Sequence, residues 1–349
     1  MSRLAFPSGP TGLGTAASRL PASRPSESGV SIPPLYGPRP VRINEPLGAE
    51  VDERLVAWFL ELGIFTDKLD HLREASFGRQ AMLAHPDTDD PDRLMLAARW
   101  ACALWATDDV YTDDETMGRD PRLAGGRLAL ALAALRPPPL HGDLASQLAE
   151  ALRSDPVLIA LGSSVEWLER NATSAQVARA RQDAVNSFLM WTAKASWRMA
   201  DHRPPVWEYL AIRQIDNFQP CMALIDVVGG YEVPDVVFSD PRVQRAYALA
   251  GSVAVLTNDI YSMAREGRQG DYNLPQLIAV ERNCSLQEAV DISVAYRTDL
   301  VHALEDVHRG LVAYPSPELQ RFLLGLWAWI GGCDEWHRTS ERYHSGGES

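Results

Sequence analysis

Apolar positions along most of this chain recur at the three- and four-residue spacing of amphipathic helices. Residues 51–62 and 90–111 show this spacing, and residues 126–135 form an Ala- and Leu-rich stretch before three consecutive prolines. The pattern predicts further helices over residues 143–153, 156–170, 174–200, 205–228, 240–266, 271–282, 286–313 and 317–336. No stretch shows the alternation of strands between hairpin turns. The sequence therefore predicts an all-α protein built as a single helical bundle.

Residues 1–48 lack this periodicity. They hold nine of the chain's 24 prolines, mixed with Gly and Ser. A segment of this composition buries too little apolar surface to offset the entropy lost on ordering. We predict a disordered leader over residues 1–48, which would close over the domain through its one apolar patch at residues 32–36, and one domain over residues 49–349.

The overall charge and the cysteine pattern exclude several classes of function. A net charge of -13 argues against a nucleic-acid partner, because binding to a phosphate backbone needs a basic face. The four cysteines are scattered without CxxC pairs, which argues against zinc, iron–sulfur and disulfide frameworks. No run reaches the roughly 18 apolar residues of a membrane span, and no secretory signal precedes the domain. These features predict a cytoplasmic protein without a membrane partner.

An acidic cluster follows the apolar helix that begins near residue 90. Asp108, Asp109 and Asp113 lie in an eight-residue segment with five acidic side chains. Acidic groups at a helix C-terminus oppose the helix dipole, and bound divalent cations would offset that cost. Carboxylate oxygens suit Mg²⁺. The alternative is a solvated acidic loop without a ligand.

A second set of oxygen ligands lies 150 residues further along the chain. Asn258, Ser262 and Glu266 are spaced four residues apart and form one stripe on a helix whose preceding turns are apolar. An amide, a hydroxyl and a carboxylate together provide a mixed ligand set for one Mg²⁺ ion. The alternative is the polar face of an amphipathic helix end. Two such sets on otherwise apolar helices are what a metal-dependent diphosphate clamp requires.

These two motifs together resemble the aspartate-rich and NSE motifs of bacterial class I terpene synthases. The resemblance implies three Mg²⁺ ions, two held by Asp108 with Asp109 or Asp113 and the third held by the Asn–Ser–Glu stripe. It also implies a diphosphate-sensing arginine at Arg213, a linker at Asp216 and an effector carbonyl at Asn217, where many relatives have Gly. Near the C-terminus, the pair Arg342 and Tyr343 matches the arginine and tyrosine that hydrogen-bond the diphosphate.

Further segments resemble the 2-methylisoborneol synthase subfamily. These are residues 9–12, 34–36, 206–214, 228–232 and 336–339. The resemblance implies a C11 substrate, 2-methylgeranyl diphosphate, made by a separate prenyl-diphosphate methyltransferase. It leaves open a sesquiterpene synthase that uses farnesyl diphosphate, a less favoured chain-elongating enzyme and a non-catalytic isoprenoid-binding module. It also leaves a homodimer open.

Aromatic residues are candidates for the hydrocarbon pocket, since their faces stabilise a passing carbocation. Ordinary core packing is the alternative for each of them. The candidates are Phe218, Trp329, Trp105, Trp197 and Phe188, with Trp191 and Trp327 as further members.

Overall fold

The chain folds as a helical bundle in a computed structural model that describes residues 30–113, 120–269 and 272–340. Its first half comprises α1 (Glu45–Leu62), α2 (Leu69–Ala75), α3 (Phe77–Ala84), α4 (Pro91–Asp108), α5 (Pro121–Leu135), α6 (Asp143–Ser154), α7 (Pro156–Asn171) and α8 (Ser174–Met199). The second half comprises α9 (Val206–Arg213), α10 (Gln219–Met222), α11 (Ile225–Gly229), α12 (Asp235–Phe238), α13 (Pro241–Gln269), α14 (Leu274–Arg282), α15 (Leu286–Leu311) and α16 (Pro317–Thr339). The predicted all-α fold is confirmed. No helix in the described part of the chain is long and apolar enough to cross a membrane.

Local sequence sets most of the helix starts. Asp90, Asp120 and Asp155 each precede a proline at the first helical position, and each carboxylate accepts a hydrogen bond from a backbone N–H of the first turn. The starts of α8 and α15 carry complete capping boxes, from Thr173 and Ser285 respectively. These side chains satisfy backbone groups that the helices leave unpaired.

The helices pack in two groups that meet along α16. One group contains α1, α3, α4, α5, α7 and α8, and the other contains α13, α15 and α16. Where α16 crosses α3, a Cβ on Gly332 would lie 2.7 Å from backbone atoms of Leu83, so only glycine permits this approach. Because α16 also packs against α13, it connects the two groups on one side of the space between them.

Three differences from the predicted helices bear on the site. The predicted helix over residues 205–228 is divided into α9, α10 and α11. Helices α2 and α3 were not predicted; the N-cap residue of α3, Ser76, makes no side-chain cap, and Asp52 of α1 instead bonds the N–H of Gly78 at 2.6 Å. Such a cap from another helix leaves no local signature. Helix α4 ends at Asp108 and continues as a wider, π-helical turn over Asp109–Asp113.

The N-terminal boundary also differs from the prediction. Helix α1 begins at Glu45, so residue 48 lies inside it. Residues 30–44 were predicted to be disordered, but they lie against the helices: Val30, Ile32 and Leu35 pack on apolar side chains of α13 and α15, and Arg42 donates to the Met82 carbonyl of α3 at 2.6 Å. Burial of these side chains against the domain supplies the contact that composition alone did not indicate. Residues 1–29 lie outside the described residues.

Candidate active site

A cavity of about 210 Å³ lies between the two helix groups. Its wall is formed by α3, α4, α8, α9, α10, α13 and α16 together with the segment between α9 and α10. Apolar and aromatic side chains line it together with acidic, amide and basic groups. The two sets of oxygen ligands predicted from sequence both reach this cavity, through Asp108 and Asp109 on one side and Asn258 and Glu266 on the other.

The acidic side of the cavity lies at the end of α4. The Asp108 carboxylate accepts a hydrogen bond from the Thr112 hydroxyl, which also bonds the Asp108 carbonyl at 2.8 Å across the π-helical turn. Burial raises the pKa of Asp108, although the charge of Lys194 opposes that shift. Asp109 lines the cavity beside it, with His71 4.0 Å away. The backbone of Asp113 belongs to the same turn, and its side chain lies outside the described part of the structure.

The Asn–Ser–Glu stripe lies on the second half of α13. Asn258 and Glu266 line the cavity, and Glu266 accepts a hydrogen bond from Asn273 at 3.1 Å. Ser262, which lies between them in the sequence, is fully buried, and its hydroxyl has no hydrogen-bond partner among the described residues. A buried hydroxyl without a partner costs about 1–3 kcal/mol and calls for a further ligand.

Arg213, at the end of α9, connects α13 with the helix break. Its Nε donates to Asp259 at 2.9 Å, its Nη2 donates to Asn258 Oδ1 at 2.9 Å, and its Nη1 donates to Asp216 at 2.9 Å. Burial disfavours the charged guanidinium, but the surrounding anions, Asp259 first among them, raise the pKa of Arg213 well above its ordinary value. Asp259 is itself completely buried and also accepts from the Tyr209 hydroxyl at 2.8 Å. It therefore holds the arginine rather than facing the cavity.

The helix break places Asp216, Asn217 and Phe218 on the cavity wall. Asp216 accepts from the Trp191 indole at 2.7 Å, and the charges of Lys194 and Arg213 outweigh burial and lower the pKa of Asp216. The Asn217 side chain accepts from the backbone N–H of Gln219 at 2.6 Å and donates to the Gln214 carbonyl. These bonds tie down the irregular backbone between α9 and α10, so the break is a fixed part of the wall.

Lys194 is a cavity residue that sequence reasoning missed. Its ammonium contacts the Asp216 carboxylate, and the Asp216 and Asp108 charges raise the pKa of Lys194 despite its burial. A lone lysine in the interior of α8 carries no local signal of this role. Its role is recognised only in the folded structure, where Lys194 lies close to both Asp108 of α4 and Asp216 of the helix break. Phe77 and Gln80 of α3 line the cavity as well, and they were missed together with their helix.

The predicted aromatic residues divide into two groups. Trp105, Trp197 and Phe218 line the cavity, as do Trp191 and Trp336. Phe188 and Trp329 do not line it: Phe188 packs on Trp191, and Trp329 packs on Phe218, each with ring centroids 5.3 Å apart. Both are buried supports behind lining residues.

The remaining predicted site residues are Arg342 and Tyr343. They lie outside the described residues, which end at Ser340, and their roles remain predictions.

The donor set fits Mg²⁺. In the described part of the chain no group of three His, Cys, Asp or Glu side chains is placed to hold a metal ion. The cavity instead offers carboxylate and amide oxygens from separate helices, a set that suits a cation which keeps several waters and shares substrate oxygens; the Ser262 hydroxyl is buried on the same stripe of α13 and is not among the lining residues. The unpartnered hydroxyl of Ser262 is the clearest sign that this set is incomplete without a ligand.

An all-helical fold with an apolar cavity between an acidic turn and an Asn–Ser–Glu stripe defines a class I terpenoid cyclase. The family "Terpene synthase family 2, C-terminal metal binding" matches residues 99–303. The chain belongs to this terpene synthase family, and it is a class I terpene cyclase acting on a prenyl diphosphate.

Named relatives and a solved structure support this membership over most of the chain. The 2-methylisoborneol synthase of Streptomyces ambofaciens is 37% identical over an alignment of 361 residues, covering 97% of this chain and 80% of the relative. The crystal structure of 2-methylisoborneol synthase from Streptomyces coelicolor A3(2), in complex with Mg²⁺ and 2-fluoroneryl diphosphate, matches with a TM-score of 0.85 at 34% identity. That match covers 89% of this chain and 97% of the other.

A more distant relative cyclises farnesyl diphosphate. The farnesyl-diphosphate-cyclising (+)-T-muurolol synthase of Roseiflexus castenholzii is 29% identical over 309 residues, covering 84% of this chain and 88% of the relative.

Proposed function

We propose that this enzyme converts 2-methylgeranyl diphosphate into a bornane-type C11 terpenoid, 2-methylisoborneol or a dehydrated relative, with release of diphosphate. The observation that carries the proposal is the shared cavity: Asp108 of α4 and Asn258 of α13, 150 residues apart, line one space together with apolar and aromatic side chains. The similarity of this chain to 2-methylisoborneol synthases, over 97% of its length, favours the C11 substrate.

Three Mg²⁺ ions are part of this proposal. Asp108 would hold two of them with Asp109 or Asp113, and Asn258, Ser262 and Glu266 would hold the third. When bound, the ions stabilise the negative charge that develops on the leaving diphosphate. The buried, unpartnered hydroxyl of Ser262 supports the second ligand set.

The chain's own cations would act on the same diphosphate. Arg213 and Lys194 face the cavity with their charges held by Asp216 and Asp259, and a diphosphate can take over some of these hydrogen bonds. We propose the same role for Arg342 and Tyr343. Loss of the leaving group would then depend on these donors reaching it together.

The apolar wall would protect and guide the allylic cation. Trp105, Trp197 and Phe218 present aromatic rings to the cavity, which stabilise positive charge and exclude water. Among the described lining residues, Asp216 is the one carboxylate outside the proposed metal-ligand sets, and it is already paired with Lys194 and Arg213. The released diphosphate would therefore accept the final proton, or water would quench the cation.

The proposal includes two protein partners, a methyltransferase that supplies the substrate and a second copy of this chain. A methylated C11 diphosphate has to be supplied by a methyltransferase that acts on a prenyl diphosphate. Assembly of this chain as a homodimer is proposed as well.

The test is diphosphate release and product analysis by gas chromatography with purified enzyme. We expect Mg²⁺-dependent turnover of the C11 substrate, 2-methylgeranyl diphosphate, to exceed that of the C10 and C15 diphosphates, geranyl and farnesyl diphosphate. Turnover of farnesyl diphosphate alone would replace the C11 assignment with a sesquiterpene synthase, the second candidate that the muurolol synthase similarity favours.

The control separates catalysis from simple binding. Glu266→Gln is expected to lower turnover at least about tenfold and to raise the Mg²⁺ concentration needed, since a carboxylate ligand is lost. Unchanged turnover would show that the third ion is misplaced. No turnover of any substrate by the unmodified enzyme would leave only an isoprenoid-binding protein.

A further inference from the structure

Residues 336–339 resemble the 2-methylisoborneol synthase subfamily, but their sequence indicates no chemical role. The structure gives one of them, His337, a specific position. This histidine lies on α16, is completely buried and faces α13. Its Nδ1 is 2.7 Å from the Cys333 carbonyl oxygen, and its Nε2 is 3.1 Å from the amide nitrogen of Asn258. The ring therefore connects the backbone of α16 to a proposed metal ligand.

These two contacts determine the state of the ring. A carbonyl oxygen only accepts hydrogen bonds, so Nδ1 carries the proton. The Asn258 amide nitrogen only donates, so Nε2 is the unprotonated acceptor. The ring is thus neutral, with its hydrogen on Nδ1.

A third contact determines the orientation of the amide. Arg213 Nη2 lies 2.9 Å from Asn258 Oδ1, and a guanidinium has donors only. Rotating the amide by half a turn would set two donors against each other at Arg213 and two acceptors against each other at His337. Only one orientation satisfies both neighbours, with the Asn258 carbonyl oxygen on the side of Arg213 and the cavity.

We propose that His337 is a positioning residue that fixes the Asn258 amide so that Oδ1, and not the NH₂ group, faces the third Mg²⁺ ion. This inference rests on the proposed function. Without the acceptor at Nε2 the amide loses one of the contacts that orient it, so its positive NH₂ end faces the cation more often, which weakens binding. Hydrogen-bond partners behind metal ligands typically change metal affinity or activity by about 10–100-fold when removed.

Neighbouring rings hold the imidazole in place. Tyr261 stacks on it with centroids 6.0 Å apart, and Trp336 and Phe218 meet it edge-on at 4.8 and 6.1 Å. The ring therefore cannot swing away from Asn258 without disturbing the core between α13 and α16. A rigid acceptor at this position is what orientation of the amide requires.

The experiment compares His337→Leu, which removes the acceptor, with His337→Gln, whose side-chain oxygen can reach the position of Nε2. Two readouts are used: the Mg²⁺ concentration for half-maximal turnover, and the thermal shift produced by Mg²⁺ with inorganic diphosphate. For His337→Leu we expect both Mg²⁺ midpoints to rise about 10–100-fold. For His337→Gln we expect them to stay within about threefold of the unmodified enzyme, with KM for the prenyl diphosphate unchanged at saturating Mg²⁺.

Tyr261→Phe is the matched control for packing. It keeps the ring that stacks on His337 and removes only the hydroxyl that bonds Asp334 at 3.3 Å. Its Mg²⁺ midpoints should match those of the unmodified enzyme. Midpoints within twofold for His337→Leu, or equal impairment of the Gln and Leu variants, would overturn the proposal.

A measurement on the unmodified protein covers the case in which His337→Leu does not fold. Nitrogen-15 NMR of the histidine rings, compared with His337→Gln, should assign to His337 a neutral ring with the proton on Nδ1. A ring protonated on Nε2 would overturn the proposal. If the unmodified enzyme shows no thermal shift with Mg²⁺ and diphosphate, the proposed function fails instead, so the two outcomes are distinguishable.

Discussion

Three polar side chains at or next to the cavity differ in whether the protein itself supplies their hydrogen-bond partners. The Asn258 amide and the Arg213 guanidinium already have protein partners, whereas the Ser262 hydroxyl is buried without one among the described residues. A buried hydroxyl without a partner needs a physical explanation, and a bound Mg²⁺ ion would supply one for Ser262. Ser262 is therefore the residue where stability and metal binding should separate.

We predict that Ser262→Ala leaves the metal-free protein as stable as before, or more stable by up to about 1 kcal/mol, because an unsatisfied buried group is removed. The Mg²⁺ concentration for half-maximal turnover should rise about tenfold or more. Urea unfolding without Mg²⁺ and a Mg²⁺ titration of turnover measure the two effects.

Ser252→Ala on the same helix is the control. Ser252 is also buried, but its hydroxyl bonds the Ala248 carbonyl at 2.8 Å. This change should cost about 1 kcal/mol and leave the Mg²⁺ dependence unchanged. If both serine variants respond alike, Ser262 is an ordinary core residue.

The pairing of α1 with α3 shows how one helix can depend on another for its start. Asp52 of α1 accepts hydrogen bonds from the backbone N–H groups of Gly78 and Arg79, at 2.6 and 3.2 Å. A Cβ on Gly78 would lie 2.3 Å from the backbone nitrogen of Asp52, so the two helices touch at this point. Since Phe77 and Gln80 of α3 line the cavity, this junction also positions part of the site.

The Asp52 carboxyl should make stability depend on pH. Burial raises the pKa of Asp52 to about 6, against the opposing effect of its backbone hydrogen bonds. The folded state then binds the proton more tightly than the unfolded state, so the Asp52 contribution to stability falls as the pH rises from about 4 to about 6. Above that range it is constant.

Asp52→Asn should therefore gain stability relative to the unmodified protein across this interval, by at most about 3 kcal/mol. The amide oxygen still accepts a backbone hydrogen bond, and nothing titrates. Free energies of unfolding in urea at pH 4.5, 5.5 and 7 measure the difference between the two proteins. A difference that does not change with pH would mean that Asp52 is not held in an apolar environment.

The N-terminal segment, residues 30–44, packs on α13, the helix that carries the Asn–Ser–Glu stripe. Val30, Ile32 and Leu35 pack behind α13 on Ile260 and Met263, which alternate with the proposed ligands along the helix. Further along, the Tyr36 carbonyl accepts from the buried Arg297 at 2.7 Å, and Arg297 also donates to Thr257 at 2.7 Å. The segment therefore supports the Asn–Ser–Glu stripe from the side away from the cavity.

We predict that a chain beginning at Gly37 is less stable than one beginning at Val30, by about 2–4 kcal/mol, because several apolar side chains lose their cover. Its Mg²⁺ requirement should also rise, since α13 loses support next to its ligands. Thermal unfolding and Mg²⁺ titrations of both chains measure this. Equal melting temperatures would show that residues 30–36 contribute no support.

The amino-acid sequence by itself determined most of the helices and the two proposed sets of oxygen ligands. Both depend on spacing within one helix: apolar periodicity, acid–proline starts, and the four-residue steps from Asn258 to Ser262 and Glu266 are local properties. The division of residues 205–228 and the unpredicted α3 show the limit of this approach. There, contacts from other helices outweigh local preference.

Only the tertiary structure decided which side chains share the cavity and which support it from behind. No sequence pattern indicates the contacts of Lys194 and His337, because their partners, Asp216 and Asn258, lie on other elements. In the sequence, Trp329 and Phe188 are aromatic residues in apolar surroundings like Phe218, yet they lie behind the cavity wall. An aromatic or charged residue obtains its role from the direction in which packing turns it, and that direction depends on contacts between helices far apart in the chain.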